Sequence, residues 1–393
     1  MTPAAEIERR IGRLREELGR AGLAAAVIVQ HADLAYLTGT NQQAHLIVPA
    51  DGEPRLLVRR VLDRARRESA LERIVPLRSL SGLAAELEAA GAGPGARVGF
   101  ELDVLPAQAY LGYVRRLPGI ELADCTAAVR GVRAVKSAWD LEQMAAACEQ
   151  VRLACEAVPG LIGAGVSEAE VQLEVERELR RAGHQGQLRF RGFNQEMHYG
   201  QVLGGPSGAV PGYSDSPLCG PGPNPAVGKG AGSHMLRPGD TVIADLVGGH
   251  EGWLSDQTRT FAVGEPPADM ATAHDVAVAI LRAVEGKLAP GTPPSSLYEL
   301  SAQVAADAGL EEHFMGAGAE RVRFLGHGVG MEIDELPILA PGFDEPLVEG
   351  NVVAIEPKFV FPGRGAVGIE NMYAITAAGS TTMTTASEEL IRA

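Results

Sequence analysis

The spacing of apolar residues alternates between a helical and an extended period along the first third of the chain. Ile7, Ile11, Leu14 and Leu18 recur at intervals of 4, 3 and 4, one face of a helix, with Gly22 as its stop. The apolar run at 24–29 is too short for a helix and predicts a strand. Residues 46–48 and 56–58 predict two more, joined through Asp51-Gly52-Glu53-Pro54. Helices near 60–72, 82–90 and 106–116, with strands at 74–75 and 97–100 between them, complete an α/β domain over residues 1–132. A second domain, 136–393, opens with a long helix from Trp139, in which Leu141, Met144, Cys148, Val151 and Cys155 step by 3, 4, 3 and 4. Ser167 followed by Glu170 is a capping box that starts a helix reaching Arg181. Periodicity then lapses over 204–232, where 15 of 29 residues are Gly or Pro, a length more often functional or a crossover than a plain linker. Strands, helices near 267–287 and 296–308, and further strands follow.

Composition narrows the function classes. A chain of 393 residues exceeds the roughly 250–300 at which single cores stop growing, so two domains are expected. A net charge of −15 repels phosphate backbones and anionic lipid, so nucleic acid and membrane are not expected partners. No apolar run approaches the ~18–20 residues of a membrane span. The first residues, with Glu6, Glu8, Arg9 and Arg10, lack a signal-peptide core, and a cytoplasmic location is the expectation. The four cysteines form no CxxC pair, which removes a thiolate metal site.

Gly228-Lys229 lacks the companions of a phosphate loop, because Pro223 and Gly230 stand where Gly and Ser/Thr are required. Gly205-Pro206-Ser207-Gly208 lacks the spacing of a serine-hydrolase elbow. His31, His45, His184, His250, His274 and His313 have no ligand-spaced companions and are expected to be structural or surface residues.

Carboxylates carry the stronger signal. Residues 241–256 read as a hairpin, and a turn centred between His250 and Glu251 sets Asp245 opposite Asp256. A second hairpin centred on Gly363 sets Glu356 opposite Glu370. Four carboxylates at the ends of apolar strands could not stay buried unneutralised, and two divalent cations would match their charge. His327, between Gly326 and Gly328, adds an imidazole where glycines let the backbone come close.

These residues make the chain resemble the pita-bread metallopeptidases, the group of aminopeptidase P, prolidase and methionine aminopeptidase, with creatinase as a cousin without metal. The likeness runs through Asp256-Gln257-Thr258-Arg259-Thr260-Phe261, Gly326-His327-Gly328-Val329-Gly330, Glu356-Pro357 and Gly368-Ile369-Glu370-Asn371, and through Ala35-Tyr36-Leu37-Thr38-Gly39 in the first domain. It implies a two-domain α/β chain, with a creatinase-like amino-terminal domain and a carboxyl-terminal pita-bread domain of α+β, pseudo-two-fold design. By resemblance, Asp245 chelates one ion, Asp256 and Glu370 bridge two, and His327 and Glu356 complete the second, with Thr258 behind them. The ions would be Mn, Co, Fe(II) or Zn. A bridging water would be the nucleophile and Glu356 its proton acceptor. The activity implied is hydrolysis of an amide bond next to proline in a small peptide, by a homodimer.

The chain departs from that pattern on the substrate side. Relatives carry a histidine upstream of the first Asp, where this sequence reads Val227-Gly228-Lys229, and a His-Glu pair where it has Asp334-Glu335. The Arg that usually precedes Ile-Glu is Gly368. His198 and His234 are candidate replacements for the lost imidazoles, against their being loop histidines with local hydrogen bonds, and the catalytic candidates are Glu356, His198 and Asp334. Two alternatives stay open: the same site used for lyase or creatinase-like C–N chemistry on a small molecule, and a non-catalytic binding module.

Overall fold

The computed structural model describes residues 1–393 other than Met197. The chain forms two compact units, Met1–Arg133 with Arg191–Phe193, and Ala134–Phe190 with Asn194–Ala393.

The first unit is built on a six-stranded mixed sheet in the order Ile74–Pro76, Arg55–Val58, Ala44–Pro49, Ala25–Ile28, Arg97–Phe100, Glu121–Asp124. Its strands Ala25–Ile28 and Ala44–Pro49 are buried on both faces, which is why they read as apolar runs without alternation. Helix Ala4–Arg20 buries the predicted stripe Ile7, Ile11, Leu14 and Leu18. The helix expected over 60–72 is confined to Leu62–Glu68. Arg191 belongs to this unit although it lies far along the chain. Its guanidinium reaches Asp33 at 2.7 Å and also bonds Asp103, while Arg133 holds the other Asp33 oxygen at 2.6 Å. Burial alone would raise the Asp33 pKa, and the two guanidiniums reverse this, leaving it well below the ordinary carboxylate range.

The second unit contains two sheets, each with its own pair of helices. One sheet orders Ile391–Arg392, Trp253–Ala262, Thr241–His250 and Gly200–Gly204. The other orders Glu335–Leu339, Gly326–Gly328, Val352–Ile355, Asn371–Thr376 and Gly379–Thr382, and a two-strand ribbon pairs Lys358–Phe361 with Gly365–Gly368. Helices Ala138–Ala157 and Glu168–Arg181 cover the first sheet through Val151, Cys155, Val171 and Val175. Helices Ala268–Glu285 and Pro294–Asp307 cover the second through Ala277, Ile280, Leu281 and Leu297. Along Thr241–His250 alternate residues serve opposite sides. Val242, Ala244 and Leu246 join the core beneath the first helix pair, whereas Ile243 packs with Val360 and Ala366, the side toward which Asp245 points.

The Gly/Pro-rich stretch after Gly204 is ordered by its own hydrogen bonds and by Glu168. That buried carboxylate accepts from the Gly204 and Gly232 amides at 2.9 and 2.6 Å and from the Ser207 hydroxyl at 2.8 Å, closing the two ends of the loop. At Gly222, with φ +64°, a Cβ would lie 1.9 Å from the Val227 carbonyl oxygen, so no other residue fits there. Among the described residues no helix is long and apolar enough to cross a membrane.

Three of the isolated histidines, His45, His184 and His274, are buried. His45 bonds the Tyr113 hydroxyl at 2.7 Å, and the His274 Nε2 has no partner among the described residues. Burial holds the His274 imidazole down at about 4, with Asp275 opposing it. The unfolded chain takes up this proton below about 6.5 and the folded chain not until about 4, so stability falls as pH drops through that window. The loss from this group is about 3 kcal/mol. Denaturant titrations at pH 7, 5.5 and 4 will show a shallower decline for His274→Leu than for the native chain.

Candidate metal centre

The first hairpin turns one residue later than its sequence suggests. His250 pairs with Trp253, and the intervening Glu251 and Gly252 both have positive φ, 49° and 91°, as a type I′ turn requires. Asp245 therefore faces Thr258, and Asp256 faces Val247. The expected direct opposition of Asp245 and Asp256 is thus replaced by a diagonal relation on one face. The shift of two residues preserves sidedness and relieves the closest like-charge contact.

The second hairpin keeps the register centred on Gly363. Lys358 faces Gly368 in the ribbon, and Ile355 faces Asn371 in the adjoining sheet. Glu356-Pro357 and Ile369-Glu370 occupy the break between these ladders, with Glu356 across from Glu370. The Glu370 amide donates to the Thr258 carbonyl at 3.1 Å, which ties this break to the first hairpin. The buried Arg259 adds a clamp, donating to the Thr258 and Glu370 carbonyls at 2.8 and 2.7 Å and to the Asn371 side chain at 2.8 Å. Arg259 was legible only as part of a family-like string, and its work here is to hold two backbone segments in line.

His327 sits on a short strand between Glu335–Leu339 and Val352–Ile355. A Cβ at Gly326 would lie 1.9 Å from the Ala354 carbonyl oxygen, and one at Gly328 would lie 2.2 Å from that of Leu336. Glycine on both sides is therefore required. Its Nε2 is 3.5 Å from Glu356 and 3.9 Å from Asp256; its Nδ1 meets the Gly328 carbonyl at 3.1 Å, with Asp334 at 3.8 Å. Thr258 donates its hydroxyl to Glu370 at 2.7 Å. Asp245, Asp256, Glu356 and Glu370 are all buried.

Of the other candidates, Asp334 lies at the half-exposed rim beside His327. Its neighbour Glu335 turns away to pair with Lys136 at 3.0 Å and to accept the Met331 amide. The candidate replacement imidazoles are not brought in. His198 is exposed, and the His234 Nε2 is taken by Asp240 at 2.7 Å. Among the described residues neither contacts the four carboxylates or His327. The reason is local: Asp240 also caps the Arg237 amide, so His234 is fastened to its own turn.

One residue of the centre was not anticipated. The Lys358 ammonium is buried among three carboxylates, 2.6 Å from Glu356, 3.3 Å from Glu370 and 3.4 Å from Asp245. Burial favours its neutral form, but Asp245, Glu356 and Glu370 overcome this and hold it charged. Burial, opposed by Lys358 and reinforced by Glu370, pushes Glu356 up to about 7. Burial together with Glu370 and Asp245 pushes Asp256 well above the ordinary range.

The donors fit one divalent cation. Asp256, His327 and Glu370 each offer an atom, all within 4.8 Å of one another. Asp256 Oδ1 and Glu370 Oε1 are buried without a hydrogen-bond partner, oxygens of the kind a cation satisfies. The Lys358 ammonium lies where Asp245, Glu356 and Glu370 face one another.

The family model for metallopeptidase family M24 matches residues 142–377, and that for the creatinase/prolidase N-terminal domain matches 10–135. The chain belongs to the M24 metallopeptidases and has their creatinase-like amino-terminal and pita-bread carboxyl-terminal domains. It is 29% identical to a probable dipeptidase PepE of Mycobacterium tuberculosis over 98% of this chain and 96% of that one. Among solved structures it is similar to dipeptidase PepE from Mycobacterium ulcerans, with a TM-score of 0.81, 28% identity and coverage of 100% and 99%. An Xaa-Pro dipeptidase from Bacillus anthracis gives a TM-score of 0.84 at 25% identity, with coverage of 98% and 100%.

Because Thr258 fixes one Glu370 oxygen, Thr258→Val will weaken divalent-metal affinity about 10–100-fold without unfolding the chain. Calorimetric titration with Mn²⁺ beside a far-UV spectrum checks both halves.

Proposed function

We propose that this protein is a metal-dependent hydrolase of short peptides, of the dipeptidase or Xaa-Pro dipeptidase type. The observation that carries the reading is the convergence of Asp256, His327 and Glu370 on one point, with Glu356 3.5 Å from the imidazole. A divalent cation held there supplies Lewis acidity and a more acidic bound water. Glu356, beside that position and 3.5 Å from the imidazole, would accept a proton from such a water and return it to a leaving amine. Lys358 orients the Glu356 carboxylate through a 2.6 Å bond, and the Gly328 carbonyl orients His327. The names of the relatives support a peptide substrate, and the family supports metal dependence. Manganese as the ion and a homodimer as the assembly belong to the same reading. A solution mass equal to a single chain would count against the dimer.

The substrate side favours modest turnover. Among the described residues neither His198 nor His234 is brought to the centre, and one oxyanion donor is typically worth about 10²–10³ in rate. The same absence favours a second reading, in which the centre acts on a small non-peptide molecule by C–N cleavage.

Against Xaa-Pro dipeptides, the expected result is slow hydrolysis that chelation stops and divalent metal restores. Asp256→Ala will lose at least about 10²-fold in kcat, as for removal of a group acting in the transition state. His198→Ala and His234→Ala will match the native chain. Cleavage of no peptide by the metal-loaded protein would reject the peptidase reading in favour of the second.

A further inference from the structure

We propose that this centre takes one divalent cation where its family-like ligand set suggests two, and that the Lys358 ammonium replaces the other. The proposal concerns the same site as the proposed function and rests only on that reading's premise of a bound cation, not on its substrate.

Geometry is the first support. An ammonium has three N–H donors, and three separate carboxylates lie within 3.4 Å of Lys358 Nζ, so every donor has an acceptor. The side chain is 1% exposed, which leaves no water to take over those bonds. Displacing the ammonium would strand a buried cation, an arrangement that proteins avoid. A second ion and Lys358 therefore compete for one position.

Gly368 gives independent support. It faces Lys358 in the ribbon, and a Cβ there would lie 2.6 Å from the Lys358 Cγ and 2.8 Å from the Pro357 carbonyl oxygen. The missing side chain at 368, noted above as a departure from the family, is what admits the lysine stem beneath the carboxylates. The two departures form one device, built from residues ten apart in sequence and opposite in the hairpin.

The unmet acceptors lie on the other side. Asp256 Oδ1 and Glu370 Oε1 have no partner, and their residues complete the three-donor group with His327. One divalent ion there, together with the ammonium, brings four carboxylates to within one charge of neutrality.

The test is metal stoichiometry on the full chain. Protein stripped with chelator and then equilibrated with Mn²⁺ will hold one equivalent per chain by plasma mass spectrometry, and its EPR spectrum will be that of isolated ions. Lys358→Gly and Lys358→Met will each take up two equivalents, with the exchange-coupled spectrum of an ion pair. Two equivalents or a coupled pair in the native chain would overturn the proposal, and so would variants that fold yet still hold one. The native-chain count and spectrum stand if neither variant folds. One bound ion without peptide cleavage would sink the proposed function alone, two ions with cleavage would sink this inference alone, and no bound metal would sink both.

Discussion

Four carboxylates buried where two hairpins meet cannot coexist without positive charge among them. The second unit is arranged around that constraint. Two sheets bring their strand ends together, and Arg259 and the Glu370 amide lock the ends in line through backbone contacts. Thr258 fixes one Glu370 oxygen, and glycines at 326 and 328 let the His327 strand approach its neighbours at backbone distance. Removing one partner from such a buried charged set typically costs about 3–5 kcal/mol, so the assembly is self-consistent as a whole and poorly tolerant of single losses.

The positive charge is supplied in two ways, and this separates the chain from what its ligand pattern suggests. One share is covalently attached, through Lys358, and cannot dissociate or exchange. The other is left to a cation at Asp256, His327 and Glu370, where buried oxygens lack partners. The family membership and the similar solved structures account for the frame. The content of the centre is this chain's own, and Lys358 with Gly368 opposite it is the feature that marks the difference.

Much of the frame was readable from residue order. The helix stripes at Ile7–Leu18 and Met144–Cys155 are buried as their spacing implied, and the Gly363-centred hairpin has the expected register. The first hairpin was misread because its turn places a glutamate, Glu251, at positive φ, which local composition does not announce. Arg191 joins a unit whose aspartates lie 88 and 158 residues away, and only tertiary pairing reveals that. Lys358, which follows Glu356-Pro357, carries no signal of its own in the sequence. Its meaning depends on Gly368 lying across the ribbon, and that glycine was visible in the sequence only as an unexplained gap.

The central claim concerns how many cations the four carboxylates hold, and diffraction from crystals grown with Mn²⁺ addresses it most directly. An anomalous difference map is expected to contain one strong peak among Asp256, His327 and Glu370, with the Lys358 ammonium still between Glu356, Glu370 and Asp245. Two peaks bridged by Asp256 and Glu370, with Lys358 swung out of the centre, would contradict the account.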